Sequence, residues 1–135
     1  MSLREISRIA GSAMTAQTVR LNTVASNMAN ADSAAGSEAA AYRGRKPVFA
    51  SMVDAGGGVG VRVLDVVQNQ EPVRKAHEPG NPLADAEGNV YYSNVNAVEE
   101  MTDMMSASRA FQTNVEVLAR VKTMQQDLLK LGEGA

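Results

Sequence analysis

Several short stretches carry residue types that do chemistry elsewhere, and each lacks the partners that chemistry requires. Gly56-Gly-Gly-Val-Gly60 has the glycine content of a phosphate-cradling loop. Such a loop needs a Lys-Ser/Thr pair at its end and a helix opening behind it. Neither follows, so the run reads as a hairpin turn or connector. Asp85-Ala-Glu-Gly-Asn89 resembles the start of an acidic calcium loop, but the closing bidentate glutamate is missing and an acid-led turn is the better reading. His77 is the only histidine. It excludes a two-histidine metal site and leaves no spare for a Ser-His-Asp relay. His77-Glu-Pro-Gly-Asn-Pro82 reads instead as a rigid segment, extended and then turned. Arg43, Arg45 and Lys46 form a basic cluster, read first as a solvated face and second as a partner-docking patch. The chain has no cysteine, which removes disulfides, zinc–thiolate sites and thiol nucleophiles. No carboxylate pair falls in an evident cleft. The expectation is a protein that is not an enzyme, with no catalytic residue, metal or cofactor.

The totals bound the rest. At 135 residues the chain holds one domain, or one small domain with extensions. A net charge of −2 and the lack of a polybasic run give no electrostatic case for nucleic acid or an anionic membrane. No apolar run is long enough to insert into a bilayer. Met1-Ser-Leu-Arg-Glu5 lacks the basic region and apolar run of a cleaved secretory signal.

Two stretches read as long helices. From Asn94 to Leu131 neither Gly nor Pro interrupts, and Val98, Met101, Met105, Phe111, Val115, Leu118, Val121, Met124, Leu128 and Leu131 recur three or four apart. Asn96 caps the start with Glu99 as its capping-box partner, and Gly132 ends the run. Such a helix is roughly 50 Å long, longer than a globule of this size is wide. It must find partners beyond its own domain. From Leu3 to Ala31 a second helix opens on the capping box Ser2-Leu-Arg-Glu5, with Ile6, Ala10, Ala13, Leu21, Val24 and Met28 on one stripe. Between Ile9 and Ala31 its only charge is Arg20, while hydroxyls and amides cover its other faces. Small neutral residues all round suit a helix pressed between several neighbours, and other subunits are the expected neighbours.

All four prolines and eight of the eleven glycines lie between residues 36 and 88, so the middle of the chain is extended rather than helical. Strands are expected at Val48 to Val53, Val59 to Val67 and Val90 to Tyr92. Val59, Val61 and Val63 share one parity and Leu64 and Val66 the other, which calls for a bulge near Val63. The fold class is therefore α+β: N- and C-terminal helices paired as a coiled-coil-like hairpin, with a small β-rich central domain. The expected divisions are 1–31 with 94–131 as a discontinuous helical assembly domain, 32–46 as a flexible loop, 47–93 as the β-rich domain and 132–135 as a tail.

Leu21-Asn-Thr-Val-Ala-Ser-Asn-Met-Ala-Asn30 followed by Tyr42-Arg43, with Ser106-Ala-Ser-Arg-Ala-Phe-Gln-Thr-Asn114 near the other end, resembles the paired signatures of bacterial flagellar axial proteins: rod, hook and hook-associated. Glu78-Pro-Gly-Asn-Pro-Leu-Ala-Asp-Ala-Glu-Gly88, leading to Asn94-Val-Asn96, is similar more narrowly to the proximal rod family. The resemblance implies a structural subunit of the basal-body rod, exported without a cleaved signal peptide and built into a helical tube around the export channel. It implies self-association, contact with other rod proteins and the rod-to-export-gate junction protein, and proximity to the surrounding rings. The sequence departs from the wider class in three places: eleven residues without proline separate Asn30 from Tyr42, Phe111 stands where Tyr is usual, and Thr113 replaces a common Ala.

On this reading Val98, Met101, Met105, Phe111, Val115 and Leu118 pack on Ile6, Ala10, Ala13, Leu21 and Val24, within and between subunits. Asn27, Asn30, Arg109 and Asn114 supply polar contacts that set register. The alternative is a non-flagellar helical-hairpin adaptor or export chaperone, which would be folded and of fixed size on its own.

Overall fold

A computed structural model describes residues 1–134. The element order is α1 (Leu3–Ala29), β1 (Ala34–Ala35), β2 (Arg45–Val53), β3 (Val59–Gln68), β4 (Arg74–His77), β5 (Asn89–Tyr92) and α2 (Ala97–Glu133). The chain is α+β, with two long terminal helices packed on each other and small antiparallel sheets between them in sequence.

The capping signals operate as the sequence reads, with one exception. Ser2 Oγ accepts from the Glu5 N–H at 3.2 Å and the Glu5 carboxylate accepts from the Ser2 N–H, closing the box. Asn96 Oδ1 accepts from the N–H groups of Val98 and Glu99, but the reciprocal bond from the Glu99 side chain is not formed. Gly132 does not stop α2. The helix runs to Glu133 and Gly134 closes it, its N–H donating to the Lys130 carbonyl. One glycine costs a helix about 1 kcal/mol, too little to end one that already has momentum from the preceding turns.

β2 and β3 form a two-stranded hairpin whose register shifts between Val48 and Phe49. Val48 faces Asp65 and Phe49 faces Val63, so Leu64 is the extra residue of a bulge, at the parity change seen in the sequence. The hairpin closes at Asp54–Gly58, where Gly57 has φ +77° and Asp54 Oδ1 accepts from the N–H groups of Gly56 and Gly58. The glycine-rich run is thus a turn.

A three-stranded sheet in the order β1-β5-β4 lies where α1 ends and α2 begins. Two of its strands were not expected. Arg74-Lys-Ala-His77 lacks β-branched residues, and pairing with β5 makes it a strand. Ala34–Ala35 pairs with Tyr92 and Tyr91, and Ala31 and Ala41 are buried. The segment 32–46, expected as a flexible loop, is therefore tied to the sheet at Ala34–Ala35 and enters β2 at Arg45.

The helices run antiparallel. Arg20 of α1 binds Asp103 of α2 and Asn27 binds Glu100, which fixes the register at that end. A second face of α1 carries Ser12, whose Oγ accepts from the Val61 N–H at 2.9 Å, and Arg8, which pairs with Asp54 of the hairpin. The charge-poor surface of α1, expected to lie against other subunits, is thus covered on two sides by the chain itself. Short polar side chains allow the hairpin backbone to approach this closely; Ser12 Oγ lies 3.1 Å from where a Cβ on Gly60 would stand.

Candidate functional site

The largest surface among the described residues belongs to the helix pair, α1 with α2. Its seam is built from small residues. Ala10, Val24 and Asn27 of α1 are buried, as are Glu100, Ala107 and Val121 of α2, with Ile6, Ala13, Phe111, Asn114 and Leu118 half-buried alongside. On α2 the inward positions Glu100, Met104, Ala107, Phe111, Asn114, Leu118 and Val121 alternate spacings of four and three, the seam of a left-handed coil. Leu21 is half-buried at the flank.

The junction end of the seam is polar and saturated. Asn27, only 1% exposed, donates to the Glu100 carboxylate at 3.1 Å and to the Arg45 carbonyl at 2.8 Å. Its Oδ1 accepts from the Tyr42 hydroxyl and the Arg45 N–H, each at 2.9 Å. One amide thereby joins α1, β2, Tyr42 and α2. Asn94 works the same way one element on: its Oδ1 accepts from the Gly44 N–H and its amide donates to the carbonyls of Asn69 and Glu71. Ser93, fully buried, donates to the Ala31 carbonyl at 2.8 Å. Asn30 serves α1 itself: its amide donates to the Ser26 carbonyl, and its Oδ1 accepts from the Ser33 hydroxyl. Asn114 likewise donates to the Ala110 carbonyl of its own helix. Among the expected register-setting residues only Asn27 bridges elements. Arg109 is exposed and its guanidinium bonds nothing else among the described residues.

Of the packing expected within and between subunits, Val98, Met101, Met105 and Val115 contribute little inside this chain. All four are exposed, Val98 by 71%; Val98 and Met105 lie across α2 from Ala107, while Val115, one turn from both Phe111 and Leu118, flanks the seam. Ala107 is fully buried in the seam, and Met104 beside it is half-buried between the seam and the outer face. Met101, Met104, Met105, Ser108 and Arg109 instead line a shallow outward groove. Beyond Val121, Met124, Leu128, Leu129 and Leu131 are also exposed, because α2 has 37 residues against 27 in α1.

The carboxylates of the β-rich part are structural. Glu78 accepts from the Tyr92 hydroxyl and the Asn81 amide, both at 2.9 Å, and these bonds hold it below the ordinary glutamate range while pushing the Tyr92 hydroxyl up. Asp85 accepts from the Asn89 and Glu87 N–H groups across a turn with Gly88 at φ +82°, and is likewise lowered. The Asp85-to-Asn89 segment is an acid-led turn. Asp54 is lowered in the same manner by the Gly58 N–H. No helix is long and apolar enough to cross a membrane among the described residues.

Comparison with known proteins places these helices in a class. The family model described as flagella basal body rod protein matches residues 8–36, and the one described as flagellar basal body rod FlgEFG protein C-terminal matches residues 86–131. The matched spans are α1 with its junction turn, and β5 with α2: the parts that build the seam. Whole-chain similarity narrows the class. The chain is 52% identical to the flagellar basal-body rod protein FlgC of Escherichia coli O6:H1 and 50% identical to that of Salmonella typhimurium, in both cases over 98% of this chain and 100% of the relative. It is 32% identical to FlgC of Borreliella burgdorferi, over 99% of this chain and all of the relative. The chain belongs to the FlgC family of flagellar basal-body rod proteins.

Proposed function

We infer that the chain is a structural subunit of the proximal flagellar rod, assembling through the outer faces of its terminal helices into a helical tube that surrounds the export channel and transmits motor torque. The observation that carries this is the outward stripe of α2. Val98, Met101, Met105 and Val115 are exposed in one chain, on a helix whose inner seam is already filled. An apolar stripe of that length, left open by its own domain, is an interaction surface. Burying it at each contact contributes about 25 cal/mol per Å² of apolar area, repeated through the assembly.

The roles divide accordingly. Ile6, Ala10, Ala13, Val24, Asn27, Phe111, Asn114 and Leu118 hold the pair together, with Leu21 and Asn30 at its margins. Val98, Met101, Met105, Arg109 and Val115 meet neighbours. Those neighbours are further copies, other rod proteins, the rod-to-export-gate junction protein and, at the outside, the surrounding rings. Delivery is by the flagellar export apparatus without a cleaved signal peptide. A fixed-size adaptor or export chaperone would have little use for a second apolar stripe along its longest helix.

The test is replacement in the source bacterium of the native chain by its Val115→Asp variant. Cells should lose rods in isolated basal bodies and stop swimming, while the variant accumulates as a folded, protease-resistant chain. Normal rods built from that variant would refute the reading.

A further inference from the structure

The β2–β3 hairpin is held to the rest of the chain at two places of unequal strength. Its base is pinned by a network around the buried Asn27, which bonds both the N–H and the carbonyl of Arg45. Asn94 accepts from the Gly44 N–H and donates to the Asn69 carbonyl, and the Asn69 N–H closes on the Gly44 carbonyl at 2.7 Å. The tip is held by exposed groups instead. Arg8 of α1 binds Asp54 at 2.6 Å with the two side chains 47% and 54% exposed. One further bond, from the Val61 N–H to Ser12 Oγ, completes the attachment. Between base and tip lies the Leu64 bulge, where the register of the two strands shifts.

Beyond the bulge the hairpin has almost no core of its own. Of residues 50–62 only Gly58 is buried; Ala50, Gly60 and Val61 are half-buried and the rest are exposed. Gly58 owes its burial to the tip contact itself. A Cβ at that position would coincide with the Arg8 guanidinium, and one on Gly60 would stand 3.1 Å from Ser12 Oγ. Two side chains of α1 thus sit in notches left by glycines of the hairpin. Neither notch adds apolar burial, and an exposed ion pair contributes little against the freedom of its long side chains. A bulge bends its strand and interrupts the ladder, which makes Leu64 the place to pivot.

We propose that residues 50–62 form a latched arm, which lifts from α1 about the Leu64 bulge when Arg8 leaves Asp54 and its notch at Gly58. The base of the hairpin, the helix seam and the three-stranded sheet stay in place. Lifting uncovers the Arg8–Ser12 face of α1 and frees the Val61 N–H on the outer edge of β3. Docked and released arms therefore differ in what α1 and β3 offer to another molecule. The latch is an exposed ion pair, so ionic strength shifts the balance toward release.

The chain contains no cysteine, so spin labels at Ala55→Cys on the tip and Thr15→Cys on α1, both exposed, report the tip-to-helix distance in dilute samples. Amide hydrogen exchange reads the same event at Val61, with the Arg45 N–H bonded to Asn27 as the fixed reference. Gly58→Ala keeps ordinary backbone angles and meets only the movable end of Arg8, so it opens the latch without unfolding the chain. Arg8→Ala opens it from the other side. Both changes should lengthen the distance distribution and speed exchange at Val61 about threefold or more, with Arg45 exchange and helix content unchanged. Salt at about 1 M, where the screening length is about 3 Å, should move the labelled but otherwise native chain the same way. Distances and Val61 exchange that stay fixed in both variants and at high salt would overturn the proposal. So would acceleration of Val61 and Arg45 together, because the whole hairpin would then be opening from its base.

Discussion

Asn27 in the last turns of α1 donates to the Glu100 carboxylate at the start of α2, 3.1 Å away and 73 residues distant in the chain. Both groups are buried, Glu100 to 7% exposure, and Asn27 satisfies all four of its hydrogen-bonding positions there. The rod signature is thus a structural knot: the asparagine holds the two helices and the first long strand in one arrangement.

Removing that amide is the most damaging single change expected in the junction. Asn27→Ala removes the partner of the Glu100 carboxylate and of the Arg45 N–H and carbonyl, and leaves the Tyr42 hydroxyl with Ser26 Oγ alone. The cost should be about 3 kcal/mol, the scale of breaking a buried charged hydrogen-bond network. Urea unfolding followed by circular dichroism measures it; a loss under about 0.5 kcal/mol would show that the knot is not needed.

The two left-handed glycines should differ in their response to alanine. At Gly88, φ is +82° and a Cβ would meet His77 Cε1 at 3.0 Å and Pro79 Cβ at 3.1 Å. At Gly57, φ is +77° with open space around it. Gly57→Ala should cost about 1 kcal/mol for the backbone alone. Gly88→Ala should cost about 2 kcal/mol or more, as crowding is added to strain. Thermal melts of the two variants would rank them, and equal melting points would contradict the crowding.

The Glu78–Tyr92 contact gives the β-rich part an acid dependence. Glu78 titrates below its unfolded value because Asn81 and Tyr92 bond its charged form. A depressed folded value means the contribution is present above the unfolded pKa, about 4.3, and is lost as pH falls through the lower, folded value. Asp85 and Asp54 act in the same direction. Tyr92→Phe should move the Glu78 midpoint up toward the ordinary range in a carboxyl NMR titration, with Asp54 unmoved. An unchanged Glu78 midpoint would show that the hydroxyl is not its partner in solution.

Much of this architecture was legible in the residues, and the failures have a common cause. Ser2 with Glu5, Asn96 as a cap and the parity change that becomes the Leu64 bulge are local signals, set by a few neighbouring residues. β4 and β1 were invisible because charged and alanine residues become strands only when the edge of β5 is offered to them. The division of α2 into an inner and an outer stripe was hidden for a related reason. Apolar periodicity marks the stripe with the largest side chains, here Val98, Met101 and Met105. The chain's own seam runs through Ala107 and takes Phe111, Leu118 and Val121 from that same periodicity, facing the alanines of α1. The hydrophobic pattern pointed to the surface available to other molecules.

The two faces of α2 should therefore separate by mutation. Ala107→Leu overfills the closed seam and should destabilise the monomer by about 1–3 kcal/mol. Met105→Glu, on the exposed face, should leave its unfolding midpoint within about 0.5 kcal/mol while weakening association. Chemical denaturation of dilute samples distinguishes them; if Met105→Glu were the more destabilising change, the assignment of inner and outer faces would be reversed.

The most direct measurement is sedimentation velocity of the purified chain and its Val115→Asp variant across a wide concentration range, with helix content read on the same samples. The native chain should grow without a fixed size as concentration rises, gaining helicity as the exposed end of α2 is covered. The Val115→Asp chain should stay small with its paired helices intact. A native chain of one discrete size and constant helicity at every concentration, or a Val115→Asp chain that grows as the native one does, would contradict assembly through the outer face of α2.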